Sequence, residues 1–186
     1  MAPNTPLNSP PLGFPTSPDD LVIDDDGNPL RIDKAYSWDA PLANHGLMHM
    51  VIKNAVNADP YPIDTLILFM ANMAWNSSMN TAQTMEMLKA KNDDGEYKIP
   101  FIVCSDAFHS ETVDFADLIL PDTTYLERYD TISILDRPIS EAHMACDAIR
   151  QPIINPDRDV RPWQEVLIDL AGRLKFPQFT NDEGKP

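Results

Sequence analysis

Residues 64–121 decide the fold: DTLILFMA (Asp64–Ala71), then TAQTMEMLKAK (Thr81–Lys91), YKIPFIVCSD (Tyr97–Asp106) and ADLILP (Ala116–Pro121). The first, third and fourth are short apolar runs, and the second repeats its apolar residues at helical spacing. Strands covered on both faces need no polar alternation, so apolar runs separated by a helical segment read as parallel βαβ units. The stretch is predicted to form part of an open α/β sheet whose first two strands end at Ala71 and Ser105. In such sheets ligands gather at the carboxyl ends of the strands, where loops lead into helix N-termini. Polar loops begin at both places, with Asn72, Asn76, Ser77, Ser78 and Asn80 after the first strand and Asp106 after the second.

Those residue types suit a nucleotide. Amides, hydroxyls and backbone N–H groups hold anionic or carbonyl groups, and Asp106 is placed to accept hydrogen bonds from a ribose or an amine. A plainer set of roles is also open: Asn80 or Thr81 caps one helix, Ser110 caps another, and Asp106 closes a turn. The chain has no GxGxxG and no Walker lysine, which disfavours ordinary NAD or ATP binding.

The 186 residues suit one ordinary domain, and 43% apolar residues suffice for a core. With 29 acidic against 14 basic residues the net charge is −15, so nucleic acid and anionic lipid are disfavoured as partners. No apolar run approaches the roughly 20 residues of a membrane-spanning helix, and the N-terminus has neither an apolar leader core nor a twin-arginine pair. A cytoplasmic location is expected. The two cysteines, Cys104 and Cys146, cannot build a four-thiolate cluster, and Cys104 is expected to be a buried, inert thiol.

Upstream, six prolines fall in the first eighteen residues, which predicts an extended, polyproline-like arm. LVIDDDGNPLRI (Leu21–Ile32) carries a hairpin signature, and its Asp24–Asp26 triplet reads as a solvated turn, since a calcium loop needs further oxygen ligands at fixed spacing. His45 and His49 are one helical turn apart, yet no third metal ligand stands near. The segment reads instead as an amphipathic helix from Leu47 to Val56, with Leu47, Met50, Val51 and Val56 inward. This divides the chain into an arm, hairpin and short helix over 1–60, a Rossmann-like cofactor-binding segment over 61–150, and a connecting loop with a C-terminal helix over 151–186.

The segment CSDAFHSETVDFADLILPDTTYLERYDTISILDRP (Cys104–Pro138) and the helix DVRPWQEVLIDLAGRL (Asp159–Leu174) resemble the third domain of molybdopterin oxidoreductase catalytic subunits, the dimethyl sulfoxide reductase family. ANMAWNSSMN (Ala71–Asn80) lies where that family carries a Gly-Asn-Pro loop. Within the family, SWDAPL, HGLMHMVI, PYPIDTL and DTTYLERYD are most similar to large subunits of sulfite-oxidising, quinone-linked membrane complexes, then to tetrathionate, thiosulfate and polysulfide reductases.

The resemblance implies a partial Rossmann-like parallel sheet, extended by the Pro-rich N-terminal arm, that holds the guanosine and diphosphate of bis-molybdopterin guanine dinucleotide with molybdenum. Carried over by position, Asn72 replaces the loop Asn, and Asn76, Ser77, Ser78 and Asn80 continue the loop. Asp106 matches the acidic residue near the guanosine, while Ser110, Glu111 and Thr112 match a Thr-Glu-Thr turn. Asp117 is expected to tie a strand start. Glu127 and Arg128 are expected to pair with each other or to face the cofactor tail. Met73 departs from the family's proline, and Met70 or Ala71 from its glycine.

The implied reaction is oxygen-atom transfer with two-electron exchange. Electrons would pass through [4Fe–4S] clusters and an iron–sulfur subunit to a quinone-reactive membrane anchor, which would hold the enzyme at the membrane. The family's cysteine cluster, molybdenum ligand and C-terminal domain do not occur here. An internal fragment of a longer catalytic subunit is therefore expected, with no residue of the chemical step. From the residues alone, a free-standing non-redox α/β nucleotide-binding or interaction module stands as the alternative.

Overall fold

The structure, a computed structural model, describes residues 31–34, 46–76, 79–132, 148–176 and 179–181. The Pro-rich arm, most of the expected hairpin, His45, Ser77, Ser78 and Cys146 lie outside the described residues. The element order is α1 (Val51–Val56), β1 (Thr65–Phe69), α2 (Thr81–Leu88), β2 (Phe101–Asp106), β3 (Leu118–Pro121), β4 (Asp130–Ile132), β5 (Ala148–Arg150) and α3 (Trp163–Arg173). Strands β1, β2 and β3 form one parallel sheet in that order, as the apolar runs predict. Strands β4 and β5 make a separate antiparallel ribbon in which Asp130 faces Arg150.

The chain divides into two compact units. Among described residues, one takes 31–34, 46–104 and 110–118, and the other takes 105–109 and 119–181.

The first unit holds the apolar core: Ile52, Leu66, Leu68, Met73, Leu88, Ile99, Ile102 and Val113, with Cys104 buried among them. Asn80 starts α2, its Oδ1 accepting from Gln83 N at 3.2 Å while its Nδ2 donates to Gln83 Oε1 at 3.0 Å. This reciprocal cap satisfies one of the helix's free N–H groups. Thr84 and Leu88, one turn apart, form the buried face of α2. The helix stops three residues short of Lys91, which instead bridges to Tyr97 across the turn at Gly95. Asp117, expected to tie the start of the ADLILP strand, sends its side chain to the neighbouring one: its Oδ2 accepts from Ile102 N at 2.8 Å and ties the start of β2.

Two expectations are corrected. Of the residues expected inward, Val56 packs partly buried against the core, but Leu47, Met50 and Val51 do not form the inward face of α1; Ile52, Asn54 and Ala55 do. A 3-10 turn over Met48–Met50 precedes the helix, and its three-residue period rotates every later side chain relative to a continuous α-helix. Asn54 is buried because its Nδ2 donates to Ile32 O at 2.7 Å. Strand β1 is likewise covered on one face only: Leu66 and Leu68 point inward, whereas Thr65, Ile67 and Phe69 are exposed. Strand β2 meets the expectation, with Ile102–Ser105 buried without a break.

The second unit carries the ribbon and α3. Pro162 sets the entry to α3, whose first N–H, that of Trp163, donates to Asp122 Oδ1 at 3.2 Å. Of the apolar side chains on α3, Leu167, Ile168 and Leu170 are exposed. Among the described residues no helix is long and apolar enough to cross a membrane.

Candidate functional site

Strand β1 releases the chain at Met70, whose φ of +46° lies in the left-handed region that glycine adopts freely. The glycine-like position is thus Met70 and not Ala71. The next residues close on Asn72, whose carbonyl accepts from Trp75 N at 3.1 Å and Asn76 N at 3.0 Å.

The side chain of Asn72 crosses to the loop after β2. Its Oδ1 accepts from Thr112 Oγ1 at 2.7 Å and Thr112 N at 3.2 Å, and its Nδ2 donates to Glu111 Oε2 at 2.6 Å. Thr112 Oγ1 in turn accepts from Ala74 N at 2.8 Å. The structure therefore brings Asn72, Glu111 and Thr112 together. Asn80 caps α2, Asn76 appears through its backbone N–H, and Ser110 gives its carbonyl to Val113 N at 3.0 Å.

Asp106 and Ser105 end β2 in the other unit. Asp106 Oδ1 accepts from Phe108 N at 3.1 Å, closing the turn, while no described residue donates to its Oδ2. Ser105 is 1% exposed, and its hydroxyl makes no hydrogen bond. The backbone of Asp106 accepts from Asp122 N at 3.0 Å, so the carboxyl ends of β2 and β3 adjoin.

Beyond β3, the acid–base pairs differ from the expected ones. Glu127 and Arg128 do not pair with each other. Arg128 Nη1 donates to Asp122 Oδ2 at 3.0 Å and Nε to Asp130 Oδ2 at 3.3 Å; the Arg128 and Asp122 side chains are 3% and 0% exposed. Glu127 is gripped by Arg158 through Nη1 at 2.5 Å and Nη2 at 2.8 Å, and by Thr124 N at 2.8 Å. Adjacent side chains point in different directions here, so Glu127 and Arg128 serve different partners. A cavity of 490 Å³ opens beside them, lined by Thr123, Glu127, Arg128, Tyr129, Asn155 and Gln164. Sequence reasoning did not select Thr123, Asn155, Arg158 or Gln164. The closeness of TTYLER to a strand end was the one available signal.

The Arg158 fork and the Thr124 N–H hold the Glu127 carboxyl down from 4.5 to about 2. A carboxyl depressed on folding contributes stability that is fully present above its unfolded pKa and is lost as pH falls through the folded one. Glu127→Gln is therefore expected to flatten the acid-induced loss of stability between pH 4.5 and about 2, followed by circular dichroism. An acid limb as steep as that of the unmutated chain would show that the pair does not govern it.

A parallel sheet with a βαβ crossover and polar loops at its strand ends defines the open α/β class. This chain belongs to the molybdopterin oxidoreductase family, whose model matches residues 44–173. It is 59% identical over 184 residues to a sulfite dehydrogenase subunit of Allochromatium vinosum, covering 99% of this chain and 19% of that protein. It is 28% identical over 141 residues to the molybdopterin-containing subunit of thiosulfate reductase of Salmonella typhimurium, covering 74% of this chain and 16% of that one. A tetrathionate reductase subunit of Archaeoglobus fulgidus is 29% identical over 131 residues, covering 64% and 11%. The chain thus spans about a fifth or less of these relatives. Among solved structures, acetylene hydratase from Pelobacter acetylenicus superposes with a TM-score of 0.50 at 18% identity, over 69% of this chain and 16% of that one, which is a likeness of fold.

Proposed function

We infer that this chain belongs to the catalytic subunit of a molybdenum enzyme that oxidises sulfite or reduces a related sulfur oxyanion, and that its sheet binds the guanosine diphosphate part of a bis-molybdopterin guanine dinucleotide. The observation that carries this is at the end of β2. Asp106 presents a carboxylate oxygen to which no described residue donates, at the carboxyl end of the strand. A carboxylate acceptor at that point fits a ribose or an amino group. The family match supports the pterin, and the similarity to sulfite dehydrogenase, thiosulfate reductase and tetrathionate reductase supports the sulfur substrate. The non-redox module has no comparable support.

When bound, the molybdenum centre supplies two-electron oxygen-atom transfer. The residues here bind and orient. Among the described residues no three His, Cys, Asp or Glu side chains group to hold a metal. Iron–sulfur clusters of the [4Fe–4S] type, a quinone-reactive membrane anchor and an iron–sulfur subunit complete the proposed complex, with this chain on the cytoplasmic side.

Calorimetric titration of the full chain with guanosine diphosphate tests the assignment. Asp106→Ala is expected to weaken binding about tenfold or more, the effect of losing one hydrogen bond to a charged group. Unchanged affinity would leave Asp106 as the acceptor of the Phe108 N–H and nothing else.

A further inference from the structure

The hydrogen bonds around Asn72 fix more than two loops. Because its Oδ1 accepts from both the N–H and the hydroxyl of Thr112, the amide cannot turn over, and its Nδ2 must face Glu111. Thr112 is 1% exposed and is itself held by Ala74 N, so the relay starts in the buried interior. It ends on the carboxylate of an exposed residue, Glu111. Asn72 and the residue's own backbone N–H hold that carboxyl below the ordinary glutamate range, so it is ionised.

An ionised carboxylate accepts hydrogen bonds and donates none, and it repels phosphate. One of the two Asn72 Nδ2 hydrogens is already given to Glu111, whose charge stands where a phosphate would approach. This loop pair therefore suits a donor-rich group. On the turn that Asn72 closes, Trp75 is 56% exposed although its backbone N–H is anchored to Asn72 O at 3.1 Å. An exposed indole offers a face on which a flat heteroaromatic ring stacks.

A carboxylate in fixed orientation pairs with two parallel N–H donors on one planar edge. We propose that Glu111 recognises the N–H and NH2 edge of a 2-amino-4-oxopyrimidine ring, with Trp75 as its stacking surface and Asn72 as the residue that positions the carboxylate. Guanine and pterin both carry this edge. The inference rests on the cofactor assignment proposed above and names the chain group that reads one of the cofactor's rings.

Glu111→Gln keeps an oxygen for Asn72 Nδ2 and turns an NH2 outward, which matches a ring bearing a 2-oxo group in place of the 2-amino group. The test titrates the full chain, unmutated and as Glu111→Gln, with guanosine and xanthosine diphosphates and with pterin and its 2-oxo counterpart lumazine. The unmutated chain is expected to prefer the 2-amino member at least about tenfold, and Glu111→Gln to reverse the order. A reversal confined to the purine pair assigns the guanine end; one confined to the pteridine pair assigns the pterin end. Trp75→Ala is expected to weaken the preferred ligand about tenfold without changing the preference. Equal weakening of both members in Glu111→Gln, or no change, would overturn the proposal. Equal binding of all four by the unmutated chain would overturn it while leaving the cofactor assignment standing. Binding of none would overturn both.

Discussion

Arg128→Met is expected to destabilise the chain by about 3–5 kcal/mol, the cost of leaving a buried carboxylate without its cation. Asp122 is fully buried, and Arg128 is the residue whose guanidinium answers its Oδ2 at 3.0 Å. Its Oδ1 accepts from Thr123 N at 2.6 Å and from Trp163 N at 3.2 Å, so the same carboxylate fixes the end of β3 and the first turn of α3. Arg128 also reaches Asp130, which faces Arg150 across the β4–β5 ribbon at 2.8 Å. One guanidinium therefore joins a strand end, the ribbon and a helix start. Urea unfolding followed by far-ultraviolet circular dichroism measures the effect. The double variant Arg128→Met with Asp122→Asn removes the orphaned charge and is expected to recover about half of the loss or more. A single-variant cost below about 1 kcal/mol would show that the pair contributes no more than an exposed one.

That network was hidden in the sequence for a physical reason. Asp122 meets Trp163 across 41 residues, Glu127 meets Arg158 across 31, and Asn72 meets Glu111 across 39. Spacing arguments see neighbours within a turn or a strand pair, and only folding brings these groups together. What was legible is local or periodic. The apolar runs gave the order of β1, α2, β2 and β3, Asn80 was readable as a cap, and Cys104 as core. Two local readings failed because a neighbour changed the register or the cover. The 3-10 turn at Met48–Met50 rotated α1, and β1 keeps Ile67 and Phe69 exposed although its run reads as covered on both faces. The family was legible because Ser-Glu-Thr, ADLILP and TTYLER are specific strings in a fixed order. The contacts of Glu111 and Thr112 were not, since a string does not show where an amide points.

Thr112→Val is expected to cost about 1–3 kcal/mol, and Thr112→Ser less than about 1 kcal/mol. Valine has threonine's shape, so the substitution opens no cavity; what it removes is one hydroxyl with two partners. Ala74 N–H, fully buried, loses its acceptor, and an unsatisfied buried donor carries its whole desolvation cost. Asn72 Oδ1 keeps only the longer bond from Thr112 N, at 3.2 Å. The amide is then less firmly oriented, and so is the Glu111 carboxylate that it faces. Hydrogen exchange at Ala74 is the direct readout: the amide is expected to exchange faster in Thr112→Val and at the unmutated rate in Thr112→Ser. Equal stabilities and equal exchange in the two variants would mean that the hydroxyl holds the loops together no more than the methyl group does, and Glu111 would then lack the fixed geometry on which ring recognition depends.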